Sequence, residues 1–260
     1  LFLFIWGITT LSALMLLETN LHFEKGANFD TITTQLLGRG WNIINGISVA
    51  FTLYILTYAY ITSGGSITES LFHRFVPNIA INHTFAALLF CLALALFVSI
   101  STKAVDRMST ILISGMIIAF FLSITGLLSS AKSDILLNQV AQSETSYLPY
   151  LLSAIPTCLV SFGYHVCVPT LVNYYEGNSK RVMYAILIGS LLSLLIYISW
   201  QMAVQGNLPR SEFAPIIAKN GDVATLLTAL NKYIPTQSIS VLLDFFAYMA
   251  IASSFLGVTL

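Results

Sequence analysis

Seven long apolar runs follow one another along the chain, and the stretches between them hold nearly all of the charge. We call the runs spans A to G, and they cover residues 1–17, 42–63, 84–101, 108–130, 147–174, 182–204 and 239–260. A helix needs about 20 apolar residues to cross the ~30 Å hydrocarbon core of a bilayer. Helices of a soluble bundle keep a polar face, whereas these runs are apolar on every side. The pattern therefore predicts an all-α, polytopic membrane protein with about seven transmembrane helices.

Composition supports the lipid bilayer as the partner of this chain. Hydrophobic residues make up 57% of the 260 residues and charged residues only 8%, whereas a soluble domain carries about 25% charged residues. The net charge is zero, so no nucleic acid is expected as a partner. Cys91, Cys158 and Cys167 form no C-x-x-C pair and the histidines are scattered, so we expect buried cysteines, no metal and no cofactor.

The positions of the cations predict an orientation. The cations of the A–B, C–D and E–F loops are densely placed: Lys25, Arg39, Lys103, Arg107, Lys180 and Arg181. Those of the other loops are spread over longer stretches, and Asp244 is the exceptional charge inside a span. The two sides hold six and five cations, so the count alone barely decides under the positive-inside rule. Because of their density, we expect the three loops in the cytoplasm and the long F–G loop outside.

Two connecting stretches have the pattern of surface helices. In residues 28–38, apolar side chains recur near the helical period, at Phe29, Ile32, Leu36 and Leu37. This pattern predicts a short amphipathic helix at the membrane interface, with Gly38 at its C-terminal end. Residues 219–231 of the F–G loop could form another such helix.

Span E contains a predicted break in its helix. Pro156 and Pro169 flank the segment Ser161-Phe-Gly-Tyr-His165, and each proline removes a helical hydrogen bond, while Gly163 permits a non-helical backbone. Unwound backbone at membrane depth is tolerated where it is buried in protein or lines a water-filled cavity. In transporters such breaks mark the substrate site, and the end of the first half-helix carries the partial negative charge that suits an ammonium group.

A kinked packing helix is the alternative interpretation of span E. The intramembrane histidine favours a functional site, because ionisable groups in membranes are usually functional. The candidate substrate-binding residues of this segment are Ser161, Phe162, Gly163, Tyr164 and His165.

Three other spans hold candidate polar or aromatic sites. Tyr54 and Tyr58 share one face of span B and could line a pocket for a flat ligand, although packing or interface anchoring explains them as well. The small residues of span D, among them Gly115 and Gly126, indicate close helix packing. In span G, the hydroxyls of Ser253 and Ser254 could coordinate a cation, or they could bond back to their own helix.

The same residues resemble a known family. Ser161-Phe-Gly-Tyr-His165 with its tail, and segments that begin at Trp41, Leu53, Ser101 and Ala252, resemble the bacterial aromatic amino acid permeases, and most of all the tryptophan-specific type. The resemblance runs through essentially the whole chain. It implies the five-plus-five inverted-repeat (LeuT-like) fold of the amino acid–polyamine–cation superfamily. The chain begins and ends in apolar sequence, and we interpret it as one transmembrane domain, a fragment that corresponds to the second to eighth helices.

The resemblance also implies a function. We expect import of an aromatic L-amino acid, tryptophan before tyrosine, by proton symport across the inner membrane. A sodium-coupled transporter is the first alternative. An intramembrane enzyme that uses His165 is a weaker one, since no span offers a nucleophile–base pair, and a channel is another.

Two departures from the family affect the predicted coupling and pocket. Val166 and Cys167 follow the histidine where the family usually has a small glycine, and Met116 stands where it usually has a lysine. Since methionine carries no proton, His165 becomes the best-placed proton carrier, because its ordinary pKa lies near 6.5. If sodium is the coupling ion instead, Ser253 and Ser254 could supply oxygen ligands.

Overall fold

A computed structural model describes residues 1–24, 26–75, 81–137, 139, 151–219, 221–234 and 237–259. Within these residues every regular element is helical. The α-helices are α1 Phe2–Leu21, α2 Phe29–Leu37, α3 Arg39–Phe75, α4 His83–Ile100, α5 Thr102–Ser130, α6 Ser133–Leu136, α7 Leu151–Ser161, α8 Val168–Tyr174, α9 Ser179–Asn207, α10 Phe213–Ala218, α11 Val223–Asn231 and α12 Gln237–Thr259. Short 3₁₀ helices cover Tyr164–Cys167 and Arg210–Glu212.

The described residues contain seven helical segments that are long and apolar enough to cross a membrane. They are Phe2–Leu21, Arg39–Arg74, His83–Ile100, Lys103–Ser130, Leu151–Tyr174, Ser179–Asn207 and Ser238–Thr259. Each coincides with one of spans A to G, so the prediction of an all-α polytopic membrane protein is confirmed. The inverted-repeat arrangement and the assignment to the second to eighth helices stay predictions, and residues 147–150 of span E lie outside the described residues.

Helix α3 is much longer than the predicted span B of residues 42–63. It runs for 37 residues, or about 55 Å at 1.5 Å per residue, which exceeds the hydrocarbon core. The apolar run ends before the polar stretch that contains Glu69, His73 and Arg74. This stretch continues the helix, because hydropathy does not decide helix formation. Glu and Arg are good helix formers, and the Glu69 carboxylate lies 4.0 Å from the His73 ring.

Several cations that were assigned to loops belong to helix ends instead. Helix α3 begins at Arg39, Lys103 and Arg107 lie in the first turns of α5, and Lys180 and Arg181 lie in the first turn of α9. The prediction that these residues form loops is wrong, because hydropathy marks the membrane core and not the helix ends. The orientation itself stays a prediction, and Lys25 lies outside the described residues.

The first predicted surface helix is present as α2. The side chain of Asn28 caps it by accepting from the Thr31 amide at 3.0 Å, and Gly38 ends it at φ +84°. Ile32 is buried, while Leu36 and Leu37 are exposed, as an interfacial helix requires. The second prediction, residues 219–231, corresponds to α11 alone, which Asp222 caps.

The structure divides into two compact units. Unit 1 comprises Leu1–Ala50 and Ser143–Trp200, and unit 2 comprises Phe51–Gln142 and Gln201–Leu260. In unit 1, α1 packs against the segment that follows the break, with a core of Ala13, Leu17, Val168, Val172, Val182 and Ile186. A second unit 1 cluster contains Cys158. Cys158 is buried, but Cys91 is half-buried and Cys167 exposed, so the expectation of buried cysteines is right for Cys158 alone.

Unit 2 is built around the close approach of α5 and α12. A Cβ added to Gly115 would lie 2.4 Å from the Met249 sulfur, and one added to Gly126 would lie 2.6 Å from Ile239. The predicted packing role of the small residues in span D is therefore confirmed. The core beside them contains Phe90, Leu94, Val105, Leu112, Ala252, Phe255 and Leu256.

Candidate functional site

The predicted break in span E is present. Helix α7 contains Pro156 and ends at Ser161, and the backbone at Gly163 has φ −78° and ψ 38°, outside the helical region. The chain continues as a 3₁₀ helix from Tyr164. The prediction that Tyr164 belongs to the non-helical part of span E is therefore wrong. Pro169 lies in the first turn of α8, where its missing N–H costs no hydrogen bond. The two prolines thus frame an interruption that covers Phe162 and Gly163.

The side chain of Phe162 lies in the core of unit 1. It is 1% exposed and makes an edge-to-face contact with Tyr197, with ring centroids 5.3 Å apart. A similar contact joins it to Phe2 at 6.3 Å. Phe162 therefore anchors the break in the protein interior, and its role as a substrate contact stays a prediction.

A chain of hydrogen bonds ties the segment after the break to α1 and α9. The Tyr164 hydroxyl donates to Thr10 Oγ1 at 3.1 Å, and the Thr10 hydroxyl donates to Ser190 Oγ at 3.4 Å. The indole Nε1 of Trp6 donates to the same serine oxygen at 3.1 Å. Thr10 and Ser190 are buried, so this network is a group of hydrogen-bonded polar side chains inside an otherwise apolar unit.

The carbonyl end of α7 is already occupied by a donor. The hydroxyl of Tyr197 on α9 donates to the Ser161 carbonyl oxygen at 2.9 Å, while the Ser161 hydroxyl donates back to Thr157 at 2.9 Å. Sequence reasoning assigned this helix end to an ammonium group. It did not identify Tyr197, because nothing in the sequence relates two residues 36 positions apart on different helices.

His165 and Gly163 form the accessible side of the break. The His165 ring is half-buried and stacks on Tyr164 with centroids 5.3 Å apart. Gly163 is exposed, so its backbone can be approached. This arrangement brings a titratable ring, a phenol and open backbone together in one membrane segment.

The other candidate residues lie in unit 2. Tyr54 and Tyr58 on α3 are exposed, and their proximity to the break stays a prediction. The Ser253 hydroxyl donates to the Ala250 carbonyl at 3.1 Å, which is the back-bonded form of the two considered. Its role in ion binding, like that of Ser254, stays a prediction. Met116 is half-buried in α5.

Two neighbouring cavities of unit 2 contain charged residues that were not identified from the sequence. The larger has a volume of about 810 Å³ and extends to Tyr58. The smaller has about 430 Å³ and lies between the end of α3 and helices α10 and α11. The residues that line both cavities are Ser66, Glu69, Lys219, Asp222 and Thr225. These positions fall beyond the apolar part of α3 and in the F–G loop, where hydropathy indicated only solvated polar sequence.

Asp244, the charge inside span G, has a partner. Arg74 near the end of α3 forms an ion pair with it and donates to Ser240 Oγ at 3.3 Å. Asn231 lines the adjoining cavity of about 150 Å³. Its Oδ1 atom is buried and has no hydrogen-bond partner among the described residues. The pair connects α3 and α12 within unit 2.

Comparison with known proteins points to one group. The tryptophan/tyrosine permease family matches residues 1–260. The chain is 60% identical to a tryptophan-specific transport protein of Haemophilus influenzae, with 99% of this chain and 63% of the relative covered. It is 47% identical to one of Pseudomonas aeruginosa, with 100% and 62% covered. It is 36% identical to a tyrosine permease of Enterobacter agglomerans, with 96% and 61% covered. The chain thus spans less than two thirds of these relatives' length, and no solved structure matches it.

Proposed function

Because this chain belongs to the tryptophan/tyrosine permease family, we propose that the protein is a secondary active transporter that imports an aromatic L-amino acid across the bacterial inner membrane. The observation that carries the proposal is the interruption of an intramembrane helix at Phe162 and Gly163. A helix that only packed against its neighbours would gain nothing from losing hydrogen bonds in an environment without water.

The surroundings of the break favour a binding site over a simple kink. Tyr164, Thr10, Ser190 and Trp6 form a hydrogen-bonded network that fixes the position of the segment. Such fixed polar groups lower the cost of ordering a site when a ligand binds. The exposed backbone at Gly163 and the phenol of Tyr164 are suited to the polar groups of an amino acid.

We assign tryptophan as the preferred substrate and tyrosine as the next. The relatives with 60% and 47% identity carry tryptophan in their names, and the tyrosine permease has 36% identity. Both substrates share the zwitterionic backbone that the break would hold, so ring contacts must separate them.

Coupling to protons through His165 is the mechanism we propose. The ring lies at the break, and an imidazole can gain or lose a proton, whereas the Met116 thioether cannot. Sodium coupling that involves Ser253 and Ser254 is the competing mechanism.

The test is uptake of labelled tryptophan by the complete protein in sodium-free proteoliposomes under an imposed pH gradient. We expect accumulation above the external concentration, which a channel cannot produce. His165→Gln should abolish gradient-driven accumulation but leave exchange of internal for external tryptophan, while His22→Gln, at an exposed position outside the break, serves as the control. Full accumulation by His165→Gln would remove His165 as the carrier. Accumulation by the wild type only when sodium is present would replace proton with sodium coupling.

A further inference from the structure

The wall shared by the two larger cavities of unit 2 carries charges of both signs. Lys219 and Glu69 both line the cavity of about 430 Å³ and the cavity of about 810 Å³. Ser66 and Thr225 add hydroxyl groups to the same wall. One side of this wall is thus formed by α3, and the other by Lys219, Asp222 and Thr225.

The other charged groups around these cavities are engaged. Glu212 accepts from the Tyr233 hydroxyl at 3.1 Å and lies 3.6 Å from the Lys232 ammonium. Asp222 uses one carboxylate oxygen to accept from the Thr225 amide and hydroxyl, both at 2.9 Å. These contacts hold α10 and α11 in place. Because the groups already have partners, they bind a ligand less readily than unpaired charges do.

Lys219 and Glu69 are different. Lys219 takes part in none of the ion pairs that the described residues form, and its side chain is exposed. In those pairs, the Glu69 carboxylate lies 4.0 Å from the ring of His73 and contacts no lysine or arginine. A cation and an anion that face a common space without pairing to each other can each bind the opposite charge of one ligand.

The larger cavity leads from this wall to an aromatic end. Ile55, Tyr58 and Ala59 line that end, with Thr62 and Ser63 between. Tyr58 and Glu69 lie on the same helix, 11 residues apart, or about 16 Å along its axis, which is longer than one amino acid. A ligand whose charged groups contact Lys219 and Glu69 is therefore centred at the opposite end of the cavity from Tyr58.

We propose that Lys219 and Glu69 form an entry subsite that recognises the zwitterionic backbone of an α-amino acid. The carboxylate of the ligand binds the Lys219 ammonium, and its ammonium group binds the Glu69 carboxylate. The subsite precedes the region of Tyr58 and does not select the ring. This inference rests on the proposed transport function and on the predicted external position of the F–G loop.

The first test compares inhibitors of tryptophan uptake into intact cells. Tryptamine lacks the carboxylate, and indole-3-propionate lacks the ammonium group. Lys219→Met should weaken the apparent affinity for tryptophan about threefold to fivefold, as expected for an exposed charge pair, and leave that for tryptamine unchanged. Glu69→Gln should weaken tryptophan similarly and leave indole-3-propionate unchanged. The preference for tryptophan over tyrosine should stay the same in both variants.

Matched controls remove charges that line neither cavity. Lys103→Met at the start of α5 and Glu24→Gln after α1 should leave all the affinities unchanged. Normal uptake with unaltered inhibition by all compounds in Lys219→Met and Glu69→Gln would overturn the subsite. Equal weakening of tryptophan and tryptamine by Lys219→Met would overturn the assignment of the carboxylate.

A binding measurement separates failure of the subsite from failure of the transport function. Ser66→Cys, in a protein whose native cysteines, including the three of this chain, are replaced by alanine, places a thiol on the shared wall. We expect tryptophan to slow its labelling from outside by an impermeant maleimide, and tryptamine to slow it less. Protection without uptake would contradict the proposed function and leave the subsite standing, whereas uptake without protection would contradict the subsite alone.

Discussion

The two units hold their helices together by different kinds of contact. Around the break in unit 1, hydroxyl groups of Tyr164, Thr10 and Tyr197 reach across to other helices. In unit 2, glycines allow close approach, so that a Cβ on Gly65 would lie 2.7 Å from Ala87 and one on Gly126 would lie 2.6 Å from Ile239. Each contact of the first kind is a single directional bond of modest energy, whereas contacts of the second kind are steric and tolerate no added volume.

This difference indicates which region can change in the proposed transport cycle. Hydrogen bonds between hydroxyls can exchange partners at small cost, so the segment from Gly163 to Cys167 can be rearranged while Phe162 stays anchored in the core. The tightly packed α4, α5 and α12, and α3 where Gly64 and Gly65 meet α4, resist such changes because a helix displacement there leaves voids or overlaps. We infer that the close-packed helices are the rigid part of the chain and the break is its adjustable part.

The largest effect should follow from Gly163→Leu. An added Cβ lies 3.0 Å from the Val160 carbonyl oxygen, and the rest of the leucine side chain occupies the open side of the break. We expect tryptophan uptake to fall by on the order of 100-fold, as for a misplaced binding site, with normal insertion. Initial uptake rates, normalised to surface-labelled protein, measure it. Gly189→Leu, where nothing lies within 4 Å of the added Cβ, is the control, and normal uptake by Gly163→Leu would exclude the break as the site.

The next effect should be a loss of stability in Gly65→Ala. The added methyl would lie 2.9 Å from the Ala87 Cα, so a helix backbone would have to move. Overpacking of this kind costs about 1–3 kcal/mol. Thermal unfolding of the detergent-solubilised protein should show a lower midpoint. In the same helix, Gly46→Ala meets nothing within 4 Å and should be neutral or slightly stabilising. Equal midpoints for the two variants would contradict the steric description of unit 2.

The Arg74–Asp244 ion pair tests whether steric packing alone stabilises unit 2. Asp244→Ala leaves the Arg74 guanidinium without its partner. Losing one member of a buried pair costs about 3–5 kcal/mol, and we expect about 1–2 kcal/mol because the two side chains are 32% and 15% exposed. The double variant Arg74→Leu with Asp244→Ala should recover most of the loss in unfolding experiments. A loss larger than that of Gly65→Ala would mean that charge, and not packing, dominates the stability of unit 2.

The smallest effect should distinguish hydrogen bonds between helices from those within one helix. Tyr197→Phe removes the donor to the Ser161 carbonyl and should cost about 0.6 kcal/mol, the average for such bonds in membranes. Ser123→Ala removes a hydroxyl whose hydrogen bonds, among the described residues, go to carbonyls of its own helix, and it should cost less. Unfolding midpoints compare the two, and a larger cost for Ser123→Ala would reverse the ranking.

Much of the candidate site was predictable because its signals are local. Pro156, Gly163 and Pro169 lie within 14 residues, and their backbone preferences act on the segment that contains them. Gly38 at the C-terminal end of α2 was predictable for the same reason. The extension of α3 beyond residue 63 was not predictable, since a hydropathy pattern reports burial in lipid and not the continuation of a helix through charged sequence.

The sequence by itself determined the number and order of the apolar helices, the position of the break and the family, because hydrophobicity and the backbone limits of proline and glycine are properties of short segments. Only the tertiary structure decided that Phe162 is a core residue, that Tyr197 occupies the carbonyl end of α7, and that Arg74 pairs with Asp244. Those contacts join residues 36 and 170 positions apart in the last two cases. The partner of a side chain across such a separation depends on how whole helices pack, which no local pattern encodes.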